Sequence, residues 1–508
     1  MRGLASIPQS LESSRLFLNG HTRRRDRSEM GQFLTPAPIA CFMASLFQEP
    51  CQHVRILDPG AGMGALFAAL VQELTERSQR PESIEVVGYE TDASLKPYLE
   101  KTIGLCENTC SGRNVRFSGT IFYEDFISAA ILGTENGLFH AQCPLFTHAI
   151  LNPPYKKING NSETRKALSA AGLETSNLYS AFVWLTVKLL KVGGEIAAIT
   201  PRSFCNGPYF RRFRKALIDL VGFRRFHVFQ SRKEAFRDDS VLQENVIFHG
   251  VRGSAQPSSL AVSVSKGDDF AQSKVRQIPF GEVIPCDNAD SFIHLAEEDN
   301  TRDTIEKMSL FRTSLDELGL EVSTGRVVDF RARASLCRNP EGGTVPLLYP
   351  CHFSEGFTRW PLTGGRKPNA IAVADETRDL LVASGFYVLT KRFSAKEEHR
   401  RVVAAVCDPR RFQSQWLGFE NHLNYFHSRG EGLPPNLAKG LALFLNSTLL
   451  DRHFRLFSGH TQVNATDLRK MRYPTHGQLL RMGNHVKDKM PDQEAIDRIL
   501  EEECGAND

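Results

Sequence analysis

The sequence predicts an α/β fold, a doubly wound and mostly parallel Rossmann-like sheet followed by a mixed α/β second half. Three observations carry this. Apolar strand-like runs alternate with helix-period stretches from Val54 to about Val251. One of them, VRILDPGAGMGALFAAL at 54–70, passes from strand through a glycine-rich turn into a helix. After 251 the alternation gives way to short apolar runs separated by turn residues. With 508 residues, 41% apolar and 24% charged, the chain is ordinary globular material and too long for one core.

Residues 1–30 are polar, with Arg23, Arg24, Arg25 and Arg27 clustered, and read as a mobile arm touching nucleic acid or a solvated terminus. Thr35-Pro36 opens a helix over PAPIACFMASLFQ, since proline suits a first helical turn. The next strand ends at Asp58-Pro59 and enters Gly60, Gly62 and Gly64. Glycine permits close backbone approach, and the new helix presents unpaired N–H groups to a ligand. The spacing is GxGxG, where a dinucleotide site wants GxGxxG. It fits a nucleoside whose charged end is an amino acid. EVVGYE closes a second strand with Glu90, placed to take both ribose hydroxyls. FYEDF follows a third run, offering Asp125 to an adenine amine with Phe126 beside it.

The fourth run, THAILNPPY at 147–155, stops at Asn152, Pro153, Pro154 and Tyr155. Proline donates nothing to a ladder and fixes its own φ, so the chain leaves the sheet in one stiff shape. That shape aims the Asn152 amide oxygen and the Pro153 carbonyl at a common spot, with the Tyr155 ring beside it. Two acceptors and a flat ring suit a planar heterocycle bearing an exocyclic amine. The plainer reading is a strand-ending turn in which Asn152 caps its own backbone. Acids at three preceding strand ends favour the site.

A polar loop, KKINGNSETRKALSAAG, is placed to close over substrate, and SNLYSAFVWLTVKLLKVGG reads as a helix capped by Gly193-Gly194. Between Arg202 and Arg237 stand ten Lys/Arg against two acids, Asp219 and Glu234. Net charge is only +4, so this local excess is the feature pointing to nucleic acid. Phe204, Tyr209 and Phe210 interleave with Arg211, Arg212 and Arg214, which suits a base swung out of a duplex; a solvated helix face and core packing are the alternatives. Later cations recur at Lys391, Arg392, Arg400, Arg401, Arg469, Lys470 and Arg472. His422, Asn424, Tyr425, Gln462 and Asn464 are candidate readers of base edges. Eleven cysteines show no pairing logic, and Cys106 and Cys110 make a poor zinc pattern, so no metal is expected. Without a secretory signal or an apolar run near ~18 residues, a cytoplasmic chain off the membrane is expected.

The motifs GQFLTP (31–36), DPGAGMG (58–64), GYETD (88–92), YEDF (123–126), LNPPY (151–155) and PRSFCNGPYFRRFR (201–214) make the chain resemble a gamma-class N6-adenine DNA methyltransferase of a type II restriction–modification system. VSTGRVVDFR (322–331), LTKRFSAKEEHRR (389–401) and FSGHTQVNATDLRKMRYP (457–474) resemble that family's target-recognition half. The resemblance implies S-adenosylmethionine as donor, held by Thr35, Pro36, Asp58, Pro59, Gly60, Gly62, Gly64, Glu90, Asp125 and Phe126. It assigns transfer to Asn152, Pro153, Pro154, Tyr155 and Phe210, the flipped adenine lying between Tyr155 and Phe210, with Tyr209 as the second choice of ring. DNA contact falls to Tyr209, Arg211, Arg212, Arg214, Lys391, Arg392, Arg469 and Lys470.

The expected division is a basic arm over 1–30, a catalytic domain over 31–251, a linker or short-strand connection over 252–320, a recognition domain over 321–475 and an acidic tail over 476–508 that reads as an amphipathic helix. Expected partners are double-stranded DNA, bound as a monomer, and a separate cognate restriction endonuclease acting on the same site. NPPY also occurs in methyltransferases of ribosomal RNA or a protein glutamine, and a specificity subunit without catalysis is a further rival. The roughly 250 residues beyond Val251 argue against the first, and the intact DPGAGMG and NPPY against the second.

Overall fold

In the computed structural model the alternating runs become a nine-stranded sheet: β1 His53–Pro59, β2 Ser83–Tyr89, β3 Arg116–Phe122, β4 Phe146–Leu151, β5 Leu190–Pro201, β6 Val221–Phe229, β7 Asn245–Arg252, β8 Ser259–Lys266 and β9 Asp269–Pro279. Their order is β3-β2-β1-β4-β5-β7-β6-β8-β9. The first five are parallel, and β7 runs against both neighbours. The structure describes residues 7–21, 34–135, 145–206, 208–229, 244–285, 291–295, 301–394, 398–457 and 462–505. Arg23, Arg24, Arg25, Arg27, Arg232, Lys233 and Arg237 lie outside them.

The chain divides into two compact units, Met1–Glu297 and Glu298–Asp508. In the first, β4 is buried along its whole length, as an apolar run in a parallel sheet should be. Period-2 alternation sends Leu57, Ala149 and Leu151 into one core, and Ile56 and Ile150 into the other. The helices Phe126–Glu135 and Leu178–Leu189 cover the first face through Phe126, Ile127 and Leu185. Ala37–Ala44 and Ala65–Glu76 cover the second through Ile39, Phe67 and Leu70. The chain moves outward from β1 to β2 and β3, then returns to build β4 and β5 on β1's other side. Ligands of such sheets bind beyond the strand ends at this switch point.

Several boundaries differ from expectation. The sheet does not end near Val251, for β8 pairs with β6 and β9 with β8. The first part of 252–320 therefore belongs to the sheet and is no linker. Its serines mislead because they serve a buried partner: Ser263 and Ser265 bond the two ring nitrogens of His227 at 2.9 and 3.0 Å. The arm over 1–30 is corrected too. Its described part is a helix, Ile7–His21, docked by Ile7 and Leu11, with the Ile7 N–H donating to Gln72 Oε1 at 2.7 Å. Gly193 and Gly194 do not cap a helix. That helix stops at Leu189, and the glycines sit in β5 where its register against β4 shifts. The polar loop after Tyr155 contains the helix Glu163–Ala170, capped by Ser162 and pinned by buried Ile158, Leu168 and Leu173.

The second unit holds a six-stranded and a five-stranded sheet. The six-stranded one runs in the order Glu321–Thr324, Leu423–His427, Tyr387–Lys391, Ala404–Cys407, Phe357–Thr358, Phe353–Ser354. The described part of 476–508 is helical, as expected, but it is docked and does not trail as a tail. The helices His476–Asn484 and Gln493–Cys504 put Leu479, Met482, Ile499 and Leu500 into the unit's core. Among the described residues, no helix is long and apolar enough to cross a membrane.

Candidate active site

Asp58, Glu90, Asp125 and Asn152 stand at or just beyond the ends of β1, β2, β3 and β4. A cavity of about 530 Å3 opens there, lined by Thr35, Gly60, Gly62, Glu90, Asp125, Phe126, Asn152 and Pro154 of the predicted residues. Pro36, Asp58, Pro59, Gly64, Pro153, Tyr155 and Phe210 are not on its wall.

The glycine turn is held by its backbone. The N–H groups of Gly60 and Ala61 both donate to the Tyr89 carbonyl at 2.8 Å. Gly62 N–H donates to Glu90 Oε2 at 2.8 Å, while Glu90 Oε1 accepts from Thr91 and Asp92 N–H at 2.8 Å each. Burial pushes the Glu90 carboxyl above its usual range, against the pull of these donors. Gly64 caps the helix at φ 84°, and an added Cβ would stand 2.5 Å from the Phe67 ring.

Asp58 is a correction to the donor assignment. It is fully buried behind the turn, where Oδ2 accepts from Phe67 N–H at 3.3 Å and anchors the new helix. Its Oδ1 has no hydrogen-bond partner, and burial pushes its pKa up to about 8, with the Glu90 charge adding to the rise.

Asn152 is oriented by the turn that precedes the helix Ala37–Ala44. Its Nδ2 donates to Thr35 Oγ1 at 3.0 Å. The Tyr155 hydroxyl donates to the Ile199 carbonyl at 3.4 Å, and its ring meets Tyr179 edge-on at 6.4 Å. Phe210 packs on Tyr179 at 5.4 Å within the core, whereas Tyr209 next to it is 82% exposed. Phe210 is therefore a core ring and not an open one, and Tyr209 is the exposed ring of the pair.

The basic run also splits. Arg214 is fully buried, donating to the carbonyls of Phe204 at 2.8 Å and Ser291 at 3.2 Å. Buried Arg202 pairs with Glu244 at 3.4 Å and donates to the Leu295 carbonyl at 2.6 Å. Both tie their segment to residues 291–295 and are withdrawn from phosphate contact. Arg211 and Arg212 remain exposed, Arg212 pairing with Glu174 at 2.6 Å.

The Eco57I restriction-modification methylase family model matches residues 136–236, the stretch holding LNPPY and the start of the basic run. The type II methyltransferase M.PstI of Providencia stuartii is 43% identical over 474 residues, covering 93% of this chain and 92% of that one. M.BsuBI of Bacillus subtilis, another type II methyltransferase, is 43% identical over 504 residues, 98% of each chain. The chain belongs to the type II restriction–modification methyltransferases.

For a methyltransferase the cavity's charge matters. Among its described lining residues, Glu12, Glu90, Asp92, Glu124 and Asp125 face Arg15 and Lys156, an acidic excess. Leu178 and Phe182, one helical turn apart, and Leu11, Glu12 and Arg15 also line it, none of them anticipated. The i, i+4 spacing of Ile7, Leu11 and Arg15 was the available signal. In the methyltransferase's second unit, Asn424 is fully buried, its Nδ2 donating to the Val463 carbonyl at 2.7 Å and its Oδ1 accepting from Thr324 at 3.2 Å. Tyr425 is buried as well, so neither reads a base. His422 is exposed, while Gln462 and Asn464 are half-buried. Lys391 and Arg392 are half-buried, and Arg469 and Lys470 are exposed on the helix Ala465–Lys470.

Proposed function

We propose that the protein is a site-specific DNA methyltransferase that moves a methyl group from S-adenosylmethionine to the N6 amine of a flipped adenine. The observation that carries this is the amide of Asn152, oriented by its bond to Thr35 and standing at the wall of an acidic cavity. The donor suits the residues present. It is a nucleoside with a cationic sulfonium and an ammonium, and the lining is rich in carboxylates. Glu90 meets the ribose hydroxyls. Asp125 spends Oδ2 on Ser128, whose N–H and hydroxyl donate at 2.9 and 2.6 Å, so Oδ1 serves the adenine amine of the donor.

When bound, the donor supplies a methyl group already activated by its sulfonium, so positioning can carry the step without a strong base. Asn152 Oδ1 and the Pro153 carbonyl accept both hydrogens of the target amine and draw its lone pair out of conjugation. Tyr155 gives the base a ring to lie on, and Tyr209 is the exposed ring that can close over it. Arg211, Arg212, Lys391, Arg392, Arg469 and Lys470 meet phosphates. The protein acts as a monomer on DNA and protects sites cut by a separate cognate endonuclease.

The test is sequencing of DNA from cells expressing the protein, with modified adenines identified, beside an Asn152→Ala control. A single short sequence carrying N6-methyladenine only with the wild type is expected. Modified cytosine, or unmodified DNA with methyl groups found on RNA or a protein amide, overturns the reading.

A further inference from the structure

Four stretches of the second half meet at one end of the six-stranded sheet. Glu321–Thr324 and Tyr387–Lys391 end there and Leu423–His427 begins there, since Thr324 and Thr390 both face Asn424 across antiparallel ladders. The loops beyond them interlock. Asn421 N–H donates to the Val327 carbonyl at 2.8 Å, and Arg392 N–H to the His422 carbonyl at 2.8 Å. The Arg392 guanidinium adds a bond to the Asn421 carbonyl at 3.1 Å, and Phe393 bridges to Gln462. At Gly325 an added Cβ would collide with the carbonyls of Phe419 and Glu420, so the loops can pack this closely only around glycine.

This braced platform carries both exposed aromatic rings of the second unit's described residues, Phe330 at 77% and Phe393 at 44%. Each has an arginine over it, Arg331 at 5.5 Å and Arg392 at 5.8 Å, and the His422 ring lies 4.9 Å from Phe393. The acids here are already engaged. Asp329 accepts from the Tyr349 hydroxyl at 2.8 Å and from Lys367 at 2.7 Å. Buried Glu420 accepts from the backbone and the ring of His422. Arg326, Arg331, Lys391 and Arg392 leave the platform cationic.

Resting on the function proposed above, we infer that this end of the sheet is a duplex-DNA surface in which Phe330 acts as a wedge against the base stack and Lys391 and Arg392 take the flanking phosphates. An apolar ring held in water on a rigid base and flanked by cations matches what a wedge residue requires. A protein partner would be met by apolar area continuous with the ring, and the neighbours here are arginines and lysines.

The experiment uses the full chain and two fluorescein-labelled duplexes, one with the sequence modified in expressing cells and one scrambled, followed by anisotropy at two salt concentrations. Phe330→Ala should weaken the matched duplex at least tenfold with S-adenosylmethionine affinity unchanged, and Phe330→Leu should restore most of the loss. Lys391→Gln with Arg392→Gln should weaken both duplexes alike and lower the salt slope by roughly one to two, about 0.9 per phosphate. Thermal unfolding midpoints matching the wild type establish that the variants fold. If Phe330→Ala unfolds, Phe330→Glu replaces it, with duplex binding abolished as the expected result. Wild-type affinity and discrimination in a folded Phe330 variant overturn the inference, as does a structured RNA that displaces the matched duplex at equal concentration. A wild type that methylates no DNA overturns the proposed function instead, so the two failures are distinct.

Discussion

The side-chain amide of Asn152, at the end of β4, donates to the hydroxyl of Thr35 at 3.0 Å, across 117 residues of sequence. The bond joins the residue proposed to hold the target amine to the turn that opens the helix Ala37–Ala44. Thr35→Val keeps the shape and removes the acceptor. Single-turnover methylation should fall about tenfold, the equivalent of ~1.4 kcal/mol for an orienting hydrogen bond, with Thr35→Ser close to wild type. Asn152→Ala should lose several orders of magnitude while keeping donor and DNA binding. A rate within about tenfold of wild type would remove Asn152 from the chemistry.

Glu90 gathers three backbone N–H groups and still lines the cavity. Glu90→Gln must strand one set of those donors and lose the charge. Hydrogen bonds to charged groups contribute roughly 1.5–3 kcal/mol each, so S-adenosylmethionine should bind at least tenfold more weakly. Calorimetric titration measures this, and an unchanged dissociation constant in a folded variant would sink the assignment.

Asp58 predicts a pH dependence of stability. Its carboxyl titrates near about 8 in the fold, against 3.8 ordinarily. The folded chain therefore keeps a proton that the unfolded chain releases. The stabilising contribution is full below the ordinary value and is lost as pH rises toward 8. Asp58→Asn has no proton to lose. Relative to wild type it should be more stable at pH 8 than at pH 5, read from thermal unfolding at both. Parallel shifts of the two proteins would show that the carboxyl is not protonated in the fold.

The unit boundary makes a further expectation concrete. Residues 1–297 should be soluble and bind donor, since Glu90, Asp125 and Asn152 lie inside a completed sheet. Residues 1–251 should aggregate, because removing β8 bares the edge of β6 and strips His227 of both serine partners. Competition binding of 1–297 should show weak, salt-dependent association without preference for the matched duplex. A preference retained there would place recognition in the first unit.

The strand-end motifs were legible because the site demands particular residue types where strands stop: Glu90, Asp125 and Asn152 all reach the cavity wall. What the sequence concealed was burial. Asp58 belongs to the same series, yet a fully buried carboxylate behind a glycine turn looks no different in one dimension. Tyr209 and Phe210 are neighbours with opposite exposures, set by the short helical turn that carries them. Arg202, Arg214, Asn424 and Tyr425 suit nucleic-acid contact by residue type alone, whereas their hydrogen bonds or burial commit them to the interior. The serines of β8 read as linker because their histidine partner is 36 and 38 residues away.

The closing helices of the second unit bear on how the protein is made. Domains fold as they leave the ribosome, N-terminal units first. The first sheet's described strands are complete once residue 279 is out, but the second core waits for Leu500 and Cys504, more than two hundred residues later. A nascent or prematurely released chain thus passes through a stage with its donor-side unit folded and its second unit still open.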